Sequence, residues 1–304
     1  MTPRFVISEA VATALAARRP VVALETTLVT HGLPHPEGVE AALALESRVR
    51  EAGAQPATIG VLDGAVRVGL DRAALERLAT SPDTAKLNPA NLAAQLACGK
   101  PGSTTVAATL FAAARVGIEV FATGGIGGVH RDAAESGDVS ADLVALARHP
   151  VAVVCAGAKA ILDLPKTVEL LETLGVPVLG LKTQEFPAFY RRSSGLPVDQ
   201  GCDDVTTLAR AVRAHFTLAL GTGIVVANPI PIEHEMPAEL YEHSLATALA
   251  DAKAQRVRGR QVTPFLLERM RVLTEGKSVF SNRALLEHNA RVAARLAIEL
   301  AAAS

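Results

Sequence analysis

An alternation between short runs rich in β-branched residues and longer stretches rich in alanine and leucine constrains the fold of this chain most. The strand candidates are residues 20–24, 57–62, 118–122, 151–155, 178–181 and 223–227. The helix candidates are residues 37–52, 105–115, 141–147, 167–174, 205–216 and most of 240–303. Repeated strand–helix alternation predicts an α/β fold with a mostly parallel sheet covered by helices.

Two local features refine this prediction. Asp63-Gly64 is a turn signal that predicts a hairpin from 57–62 into 65–68. Residues 184–204 form the longest polar, Pro- and Gly-rich connection and carry three of the chain's few aromatics, Phe186, Phe189 and Tyr190. Such a segment is either an active-site lid or a packed surface loop. Without an internal repeat or a low-complexity linker, residues 1–304 are predicted to form a single domain.

Composition excludes several classes of function. The chain is 49% hydrophobic and 20% charged, which is typical of a globular enzyme. Its 30 basic and 31 acidic residues give a net charge of −1, which argues against a nucleic-acid polymer as partner but permits a small phosphorylated substrate. The three cysteines form no CxxC pair, which disfavours a zinc site and favours a reducing, cytoplasmic setting. No apolar run approaches the roughly 18 residues of a membrane span.

Two segments have the composition of anion-binding loops. Residues 123–131, TGGIGGVHR, follow an apolar strand, and their glycines allow backbone N–H groups to approach an anion while His130 and Arg131 add donors. The alternative is a tight turn. Residues 102–105, GSTT, precede a helix, where free N–H groups bind phosphate. The alternative there is a simple N-cap.

Two reactive side chains follow predicted strands directly. Lys159 follows the uncharged segment 151–158, and an amine in apolar surroundings loses ammonium solvation, which favours the neutral, nucleophilic form. Glu25 follows 21–24, where a carboxyl group can act as a general acid or base. Ligands of open α/β sheets bind at such strand ends. The alternatives are a lysine that reaches out to solvent and a glutamate that caps a turn.

Carboxylates suggest a metal site only weakly. Asp138 and Asp142 would share one face if their segment is helical, and either could offer oxygen to a hard cation. As an alternative, Asp138 would be an N-cap. Residues 233–235, Glu-His-Glu, lack the HExxH spacing of zinc proteases and are more typical of a solvated turn or a subunit contact than of a metal site.

A series of motifs along nearly the whole chain resembles the pseudouridine-5'-phosphate glycosidase family. The motifs are ALETT at 23–27, THGL at 30–33, PATI at 56–59, LDG at 62–64, GSTTVAAT at 102–109, ATGGIGGVHR at 122–131, SADL at 140–143, CAGAK at 155–159, EFPAFY at 185–190, SSGLP at 193–197 and NPIP at 228–231. An ordered series of this kind is far more specific than any single glycine loop.

The resemblance implies an α/β/α core, a homotrimer and a role for each site residue. Lys159 would form an imine with C1' of the opened ribose, and Glu25 would protonate the ring oxygen. Asp138 would hold one Mn²⁺ per subunit, mostly through waters. The residues implied to surround the ribose phosphate are Lys86, Thr105, Val106, Thr123, His130 and Arg131, of which Lys86 and Thr105 would contact the phosphate. Those implied to face the uracil are Ser140, Ala141, Asp142 and Asn282.

Three positions depart from the pattern of the family, namely Asp132, Gly137 and His288. They bear on the geometry around the metal and the base but remove no implied catalytic group. Two other functions compete with the glycosidase. A ribokinase-type sugar kinase should carry a late Gly-Ala-Gly-Asp anion hole, which the sequence lacks. A ribose-phosphate sensor would need neither Glu25 nor Lys159.

Overall fold

The computed structural model describes residues 4–257 and 262–302. Within them lie eleven strands: β1 (Arg4–Ile7), β2 (Val21–Leu24), β3 (Gln55–Leu62), β4 (Ala65–Val68), β5 (Ala85–Leu87), β6 (Gly102–Thr104), β7 (Val120–Ala122), β8 (Ala152–Cys155), β9 (Val178–Leu181), β10 (Gln200–Cys202) and β11 (Ile224–Ala227). Their order is β1-β4-β3-β2-β7-β8-β11-β9-β10, and β6 joins β3 and β5 beside this path.

The helices alternate with the strands along the chain. They are α1 (Glu9–Ala16), α2 (Glu37–Glu51), α3 (Arg72–Thr80), α4 (Pro89–Ala97), α5 (Val106–Val116), α6 (Ala133–Ser136), α7 (Ala141–Leu146), α8 (Leu164–Thr173), α9 (Val205–Thr217), α10 (Ala238–Ala254), α11 (Val262–Leu273) and α12 (Lys277–Ala302). A π-helical turn at Leu28–Gly32 and a 3₁₀ turn at Ile232–His234 complete the described elements.

The sheet is mostly parallel and is covered on both faces, as predicted. Only the pairings of β3 with β4 and with β6 are antiparallel among the described strands. Alternate residues of each central strand enter opposite apolar layers, so Val22 packs with α2, α9 and α12 while Val21 packs on the side of α5, α7 and α8. Strands buried on both faces are continuous apolar runs, and this is why the central strands could be predicted.

Short elements were missed in the sequence. The strands β5, β6 and β10 have three residues each and lack a clear apolar run, and β1 has only four residues, of which Phe5, Val6 and Ile7 are apolar. The GSTT segment illustrates the reason: Gly102–Thr104 is a buried strand, and only Thr105 caps the helix that follows. The predicted hairpin at Asp63-Gly64 is confirmed by the antiparallel pairing of β3 with β4.

The aromatic segment after β9 is packed into the protein. Phe186, Phe189 and Tyr190 are only 0%, 4% and 2% exposed, and the rings of Phe189 and Tyr190 meet edge-on at 4.8 Å. Of the two predicted alternatives, the packed segment therefore describes this structure. None of the helices between residues 4 and 302, outside the gap at 258–261, is both long and apolar enough to cross a membrane.

Candidate active site

A cavity opens at the carboxyl ends of β2 and β7. The empty space within it, together with the solvent-filled space at its mouth, amounts to about 760 Å³. Its polar lining comprises Glu25, Thr27, His31, Lys86, Thr123, Lys159, Thr263 and Asn282. Leucines of several elements and the ring of Phe189 form the apolar part of the wall. The cavity thus lies where parallel α/β sheets bind ligands, and it brings together Glu25 and Lys159, which are 134 positions apart in the sequence.

Glu25 occupies the end of the central strand β2 and faces the cavity. The hydroxyl group of Thr123 donates a hydrogen bond of 2.5 Å to its Oε1 atom. Burial raises the pKa of Glu25 above its usual value, although the ammonium group of Lys159 and the hydroxyl of Thr123 oppose this rise. A carboxyl group with a raised pKa retains its proton closer to neutral pH, as a general acid must.

Lys159 reaches the cavity because of an unusual backbone just after β8. Gly157 has a φ of +82°, and a Cβ atom there would overlap the carbonyl oxygen of Pro187. This turn directs the chain so that the Lys159 N–H donates to the Ile126 carbonyl oxygen at 3.0 Å. The side chain is half-buried in the cavity wall. By contrast, Lys182 is exposed at the end of β9, which removes the competing lysine from this site.

Lys86 adds a second cation to the same cavity. It lies in β5 beside Ser103 of β6. Burial lowers the pKa of Lys86 most, the charge of Lys159 lowers it further, and the charges of Glu25 and Asp142 oppose this shift. Burial, and then Lys86, also lowers the pKa of His31. Two cations held close together at a partly buried wall favour an anionic ligand there.

The N-terminus of α5 lies beside Lys86. Thr105 caps this helix, and its N–H donates to the carbonyl oxygen of Leu87, the residue after Lys86, at 3.0 Å. Neither Thr105 nor the buried Val106 belongs to the cavity lining, however. Their predicted contact with phosphate stays a prediction that the neighbouring helix end supports.

The glycine-rich loop does not form a continuous anion cradle. The N–H groups of Ile126, Gly127 and Val129 donate to the Gly157 carbonyl, the Asp142 carboxylate and the Thr167 hydroxyl. Only its first part, Gly124-Gly125, follows Thr123 along the cavity wall. A Cβ atom at Gly125 would approach the Phe189 ring to 2.6 Å, so this glycine allows close packing under the aromatic ring.

Asp142 is a buried residue whose side chain joins two backbone segments. It is 5% exposed, and its two carboxylate oxygens accept hydrogen bonds from the Gly127 and Ala107 N–H groups, at 2.8 and 2.9 Å. It therefore joins the glycine-rich loop to the first turn of α5. The predicted contact of Asp142 with uracil would have to compete with both bonds.

The predicted metal ligand lies outside this cavity. Asp138 precedes α7, whose N-cap is Ser140, so the expectation of a shared helix face for Asp138 and Asp142 is wrong, as is an N-cap role for Asp138. The Asp138 carboxylate lies 3.9 Å from His130 Nε2, and the described residues contain no group of three or more His, Cys, Asp or Glu side chains placed to hold a metal ion. These groups fit an ion only if water completes its coordination.

Other predicted substrate residues line the loop rather than the cavity. His130 is half-buried and Arg131 is exposed, and Ser140 and Ala141 begin α7. None of the four belongs to the cavity lining given by the described residues. Asn282 of α12 does line it, and its Oδ1 atom faces Gly124. The contact of Asn282 with uracil stays a prediction.

All three departures from the family pattern lie at defined places in the structure. Gly137 ends α6 with a φ of +67°, a conformation that favours glycine, and a Cβ atom there would meet nothing within 4 Å. Asp132 lies at the N-cap position of α6 without making a side-chain cap. His288 is half-buried on α12, where burial and the charges of nearby arginines lower its pKa.

Some site residues were not predicted from the sequence. Asn228 and Asn289 are buried behind the cavity, and Thr263 and Leu267 bring α11 to its mouth. For Asn228 and Asn289 the sequence carried one signal, an asparagine placed among apolar residues, since a buried amide needs a hydrogen-bond partner. It gave no indication of what that partner is.

The comparisons with known proteins agree with this architecture. A family model described as indigoidine synthase A like protein matches residues 10–299. A pseudouridine-5'-phosphate glycosidase of Caldanaerobacter subterraneus is 50% identical over 98% of this chain and 97% of its own. One of Paracoccus denitrificans is 52% identical over 99% of this chain and 100% of its own.

Solved structures with the same fold include two at substantial identity. A prealnumycin C-glycosynthase, solved in complex with ribulose 5-phosphate, has a TM-score of 0.92 and 39% identity over 99% of this chain and 98% of its own. An indigoidine synthase A-like protein of Thermotoga maritima has a TM-score of 0.88 and 35% identity over 98% of this chain and 97% of its own.

Proposed function

This chain belongs to the pseudouridine-5'-phosphate glycosidase family, the group described as indigoidine synthase A-like proteins, and from that membership we propose that it is itself such a glycosidase. The reaction is the reversible cleavage of the C–C bond between uracil and ribose 5-phosphate. The observation that carries the proposal is the meeting of Glu25, Lys159 and Lys86 in one cavity. These supply an acid, an amine and a cation for phosphate.

The C–C bond explains why an amine is needed. The carbon of uracil that leaves carries no lone pair to protonate, so paired carboxylates of the ordinary glycosidase kind are insufficient. An amine divides the reaction into easier steps. The Lys159 nitrogen would bond to C1' as the bond from C1' to the ring oxygen breaks, with Glu25 giving its proton to that oxygen.

The second step releases the base. The new secondary ammonium group first gives a proton back to the Glu25 carboxylate. The freed nitrogen lone pair then forms a C=N bond to C1' as the bond to uracil breaks, and the uracil carbon takes up the proton from Glu25. Water then hydrolyses the iminium ion to free Lys159 and open-chain ribose 5-phosphate. The charge of Lys159 near Glu25, and the raised pKa of that carboxyl group, support the pairing of acid and amine.

The proposed Mn²⁺ would be held by Asp138, with His130 as the nearest second donor. Carboxylate oxygen and imidazole nitrogen both suit this ion, and water would complete its coordination. When bound, the ion would supply positive charge to an anionic group of the substrate. No step above depends on it.

Assembly and location are also proposals. We expect a homotrimer. The large apolar side chains of Ile232 and Phe280 are 73% and 74% exposed and offer apolar surface for contact between subunits, which supports assembly. Size-exclusion chromatography with light scattering measures this directly. A cytoplasmic location is supported by the three cysteines, all of which are free thiols.

The reaction can be tested in both directions. Incubation with uracil, ribose 5-phosphate and Mn²⁺ should yield pseudouridine 5'-phosphate on chromatography. Borohydride added to the protein with ribose 5-phosphate should trap the imine as a stable secondary amine, and peptide mapping should place it on Lys159. A label on Lys182 instead would overturn the mechanism, and the absence of product in either direction would overturn the function.

A further inference from the structure

Two asparagines form a buried pair behind the catalytic cavity. Asn289 lies within α12 and is 1% exposed, and Asn228 directly follows β11 and is 2% exposed. The Asn228 Nδ2 atom donates to Asn289 Oδ1 at 2.8 Å. Burying two amides among apolar side chains is unfavourable unless their hydrogen bonds are made, so the remaining bonds of the pair identify what it holds.

The donors of Asn289 point toward the turn that leaves β7. Its Nδ2 atom lies 2.8 Å from the carbonyl oxygen of Thr123 and 3.4 Å from that of Gly124. The hydroxyl group of the same Thr123 donates to Glu25 at 2.5 Å. A series of three hydrogen bonds therefore runs from Asn228 to Asn289, from Asn289 to the Thr123 carbonyl group, and from the Thr123 hydroxyl group to Glu25.

The turn has little other side-chain support. On the backbone side, the Thr123 N–H donates to the Val154 carbonyl oxygen at 3.1 Å, and the Gly124 carbonyl oxygen accepts from the Ala156 N–H at 2.9 Å, so both residues are bonded to the β8 segment. At the Thr123 carbonyl, Asn289 is the donor that the described residues provide. Loss of this donor would let the Thr123 carbonyl group shift, and a displacement of the Thr123 Cα atom would carry the hydroxyl group with it and change the bond that Glu25 accepts.

We infer that Asn228 and Asn289 are positioning residues that set the orientation of Glu25 through Thr123. Its kinetic consequence rests on the proposed function, in which Glu25 is the acid. Its structural consequence, a change in the titration of Glu25, does not depend on the substrate.

Four variants of the full-length protein test this chain of contacts. Asn289→Leu removes the donor while keeping a similar volume, and Thr123→Val removes the hydroxyl while keeping the shape. The double variant combines them. Leu296→Ala, on the same helix and 0% exposed, is the control for loss of core packing without contact to Thr123.

Titration of ¹³C-labelled glutamate carboxyl groups by NMR gives the first readout, with Glu25 assigned by its loss in Glu25→Gln. Because the Thr123 hydroxyl stabilises the carboxylate, Thr123→Val should raise the pKa of Glu25 further, and Asn289→Leu should shift it in the same direction. The double variant should shift it no more than the larger single change, because both act through one bond. Leu296→Ala should lower the unfolding midpoint and leave the titration unchanged.

Kinetics gives the second readout. Asn289→Leu should lower kcat by about 10- to 100-fold, the scale of a small misplacement of a catalytic group, and should change KM for ribose 5-phosphate little.

An unchanged Glu25 titration in Asn289→Leu, or shifts that add in the double variant, would overturn the inference. If the wild type forms no product, the proposed function fails while the titration still decides the inference. Should Asn289→Leu not fold, Asn228→Ala removes the support one step further back and should shift Glu25 in the same direction.

Discussion

Gly157 allows the position of Lys159 to be tested through backbone conformation alone. Gly157→Ala introduces a single methyl group two residues before the amine. The backbone there has a φ of +82°, a conformation that costs an L-residue about 1–2 kcal/mol. The new Cβ atom would also overlap the carbonyl oxygen of Pro187 and lie 3.3 Å from the Phe186 ring.

A matched glycine separates these two costs. Gly117 ends α5 with the same φ of +82°, and a Cβ atom there meets nothing within 4 Å. Gly117→Ala should therefore cost about 1–2 kcal/mol for conformation alone. Gly157→Ala should cost about 1–3 kcal/mol more, the usual cost of overpacking a rigid interior.

Urea unfolding followed by circular dichroism measures the difference in the free energy of unfolding between the two variants. The functional consequence should be larger than the loss of stability. Relief of the overlap with Pro187 requires the backbone of residues 156–158 to move, and a displacement of about 1 Å at a reacting group costs about 100-fold in rate. The rate of borohydride trapping should fall accordingly in Gly157→Ala and stay at the wild-type value in Gly117→Ala. Equal stability and equal trapping rates in the two variants would refute the reasoning.

Three further substitutions address the remaining groups of the site. Lys86→Met should weaken the binding of ribose 5-phosphate by about 10- to 100-fold in calorimetry, the value of one charge-assisted hydrogen bond, whereas the exposed Lys166→Met should not change it. For Glu25, whose pKa is raised by burial, the acid form is lost as pH rises, so the cleavage rate should fall through that pKa, and Glu25→Gln should abolish this limb of the pH profile. Asp138→Ala should reduce both activity and Mn²⁺ affinity with the circular dichroism spectrum unchanged, and unchanged Mn²⁺ binding would show that the ion binds elsewhere.

The positions of Glu25 and Lys159 at one edge of the sheet could be predicted because the signal for each is local. Glu25 and Lys159 each follow an apolar run directly, and the parallel order of β2, β7 and β8 brings the ends of those runs to one edge of the sheet. The same argument identified the edge before any distance was known.

The function of the glycine-rich loop could not be predicted, because its partners are distant in sequence. Gly127 donates to Asp142, 15 residues ahead, and Val129 donates to Thr167, 38 residues ahead. Composition indicates that such N–H groups can bind an acceptor but not which acceptor occupies them. The Asn228–Asn289 pair, 61 residues apart, was missed for the same reason.

Helix α12 has a consequence for the synthesis of this protein. Its 26 residues lie against β2, β7 and β8 and carry both Asn282 and Asn289. A growing chain adds these residues after all the described strands of the sheet, so one apolar face of the central strands is covered only in part, by α2 and α9, until α12 has been made. Exposed apolar surface of this kind promotes aggregation. A nonsense mutation before Lys277 should therefore produce an insoluble product rather than a weakened enzyme, and co-translational chaperones should bind the growing chain until α12 has been made.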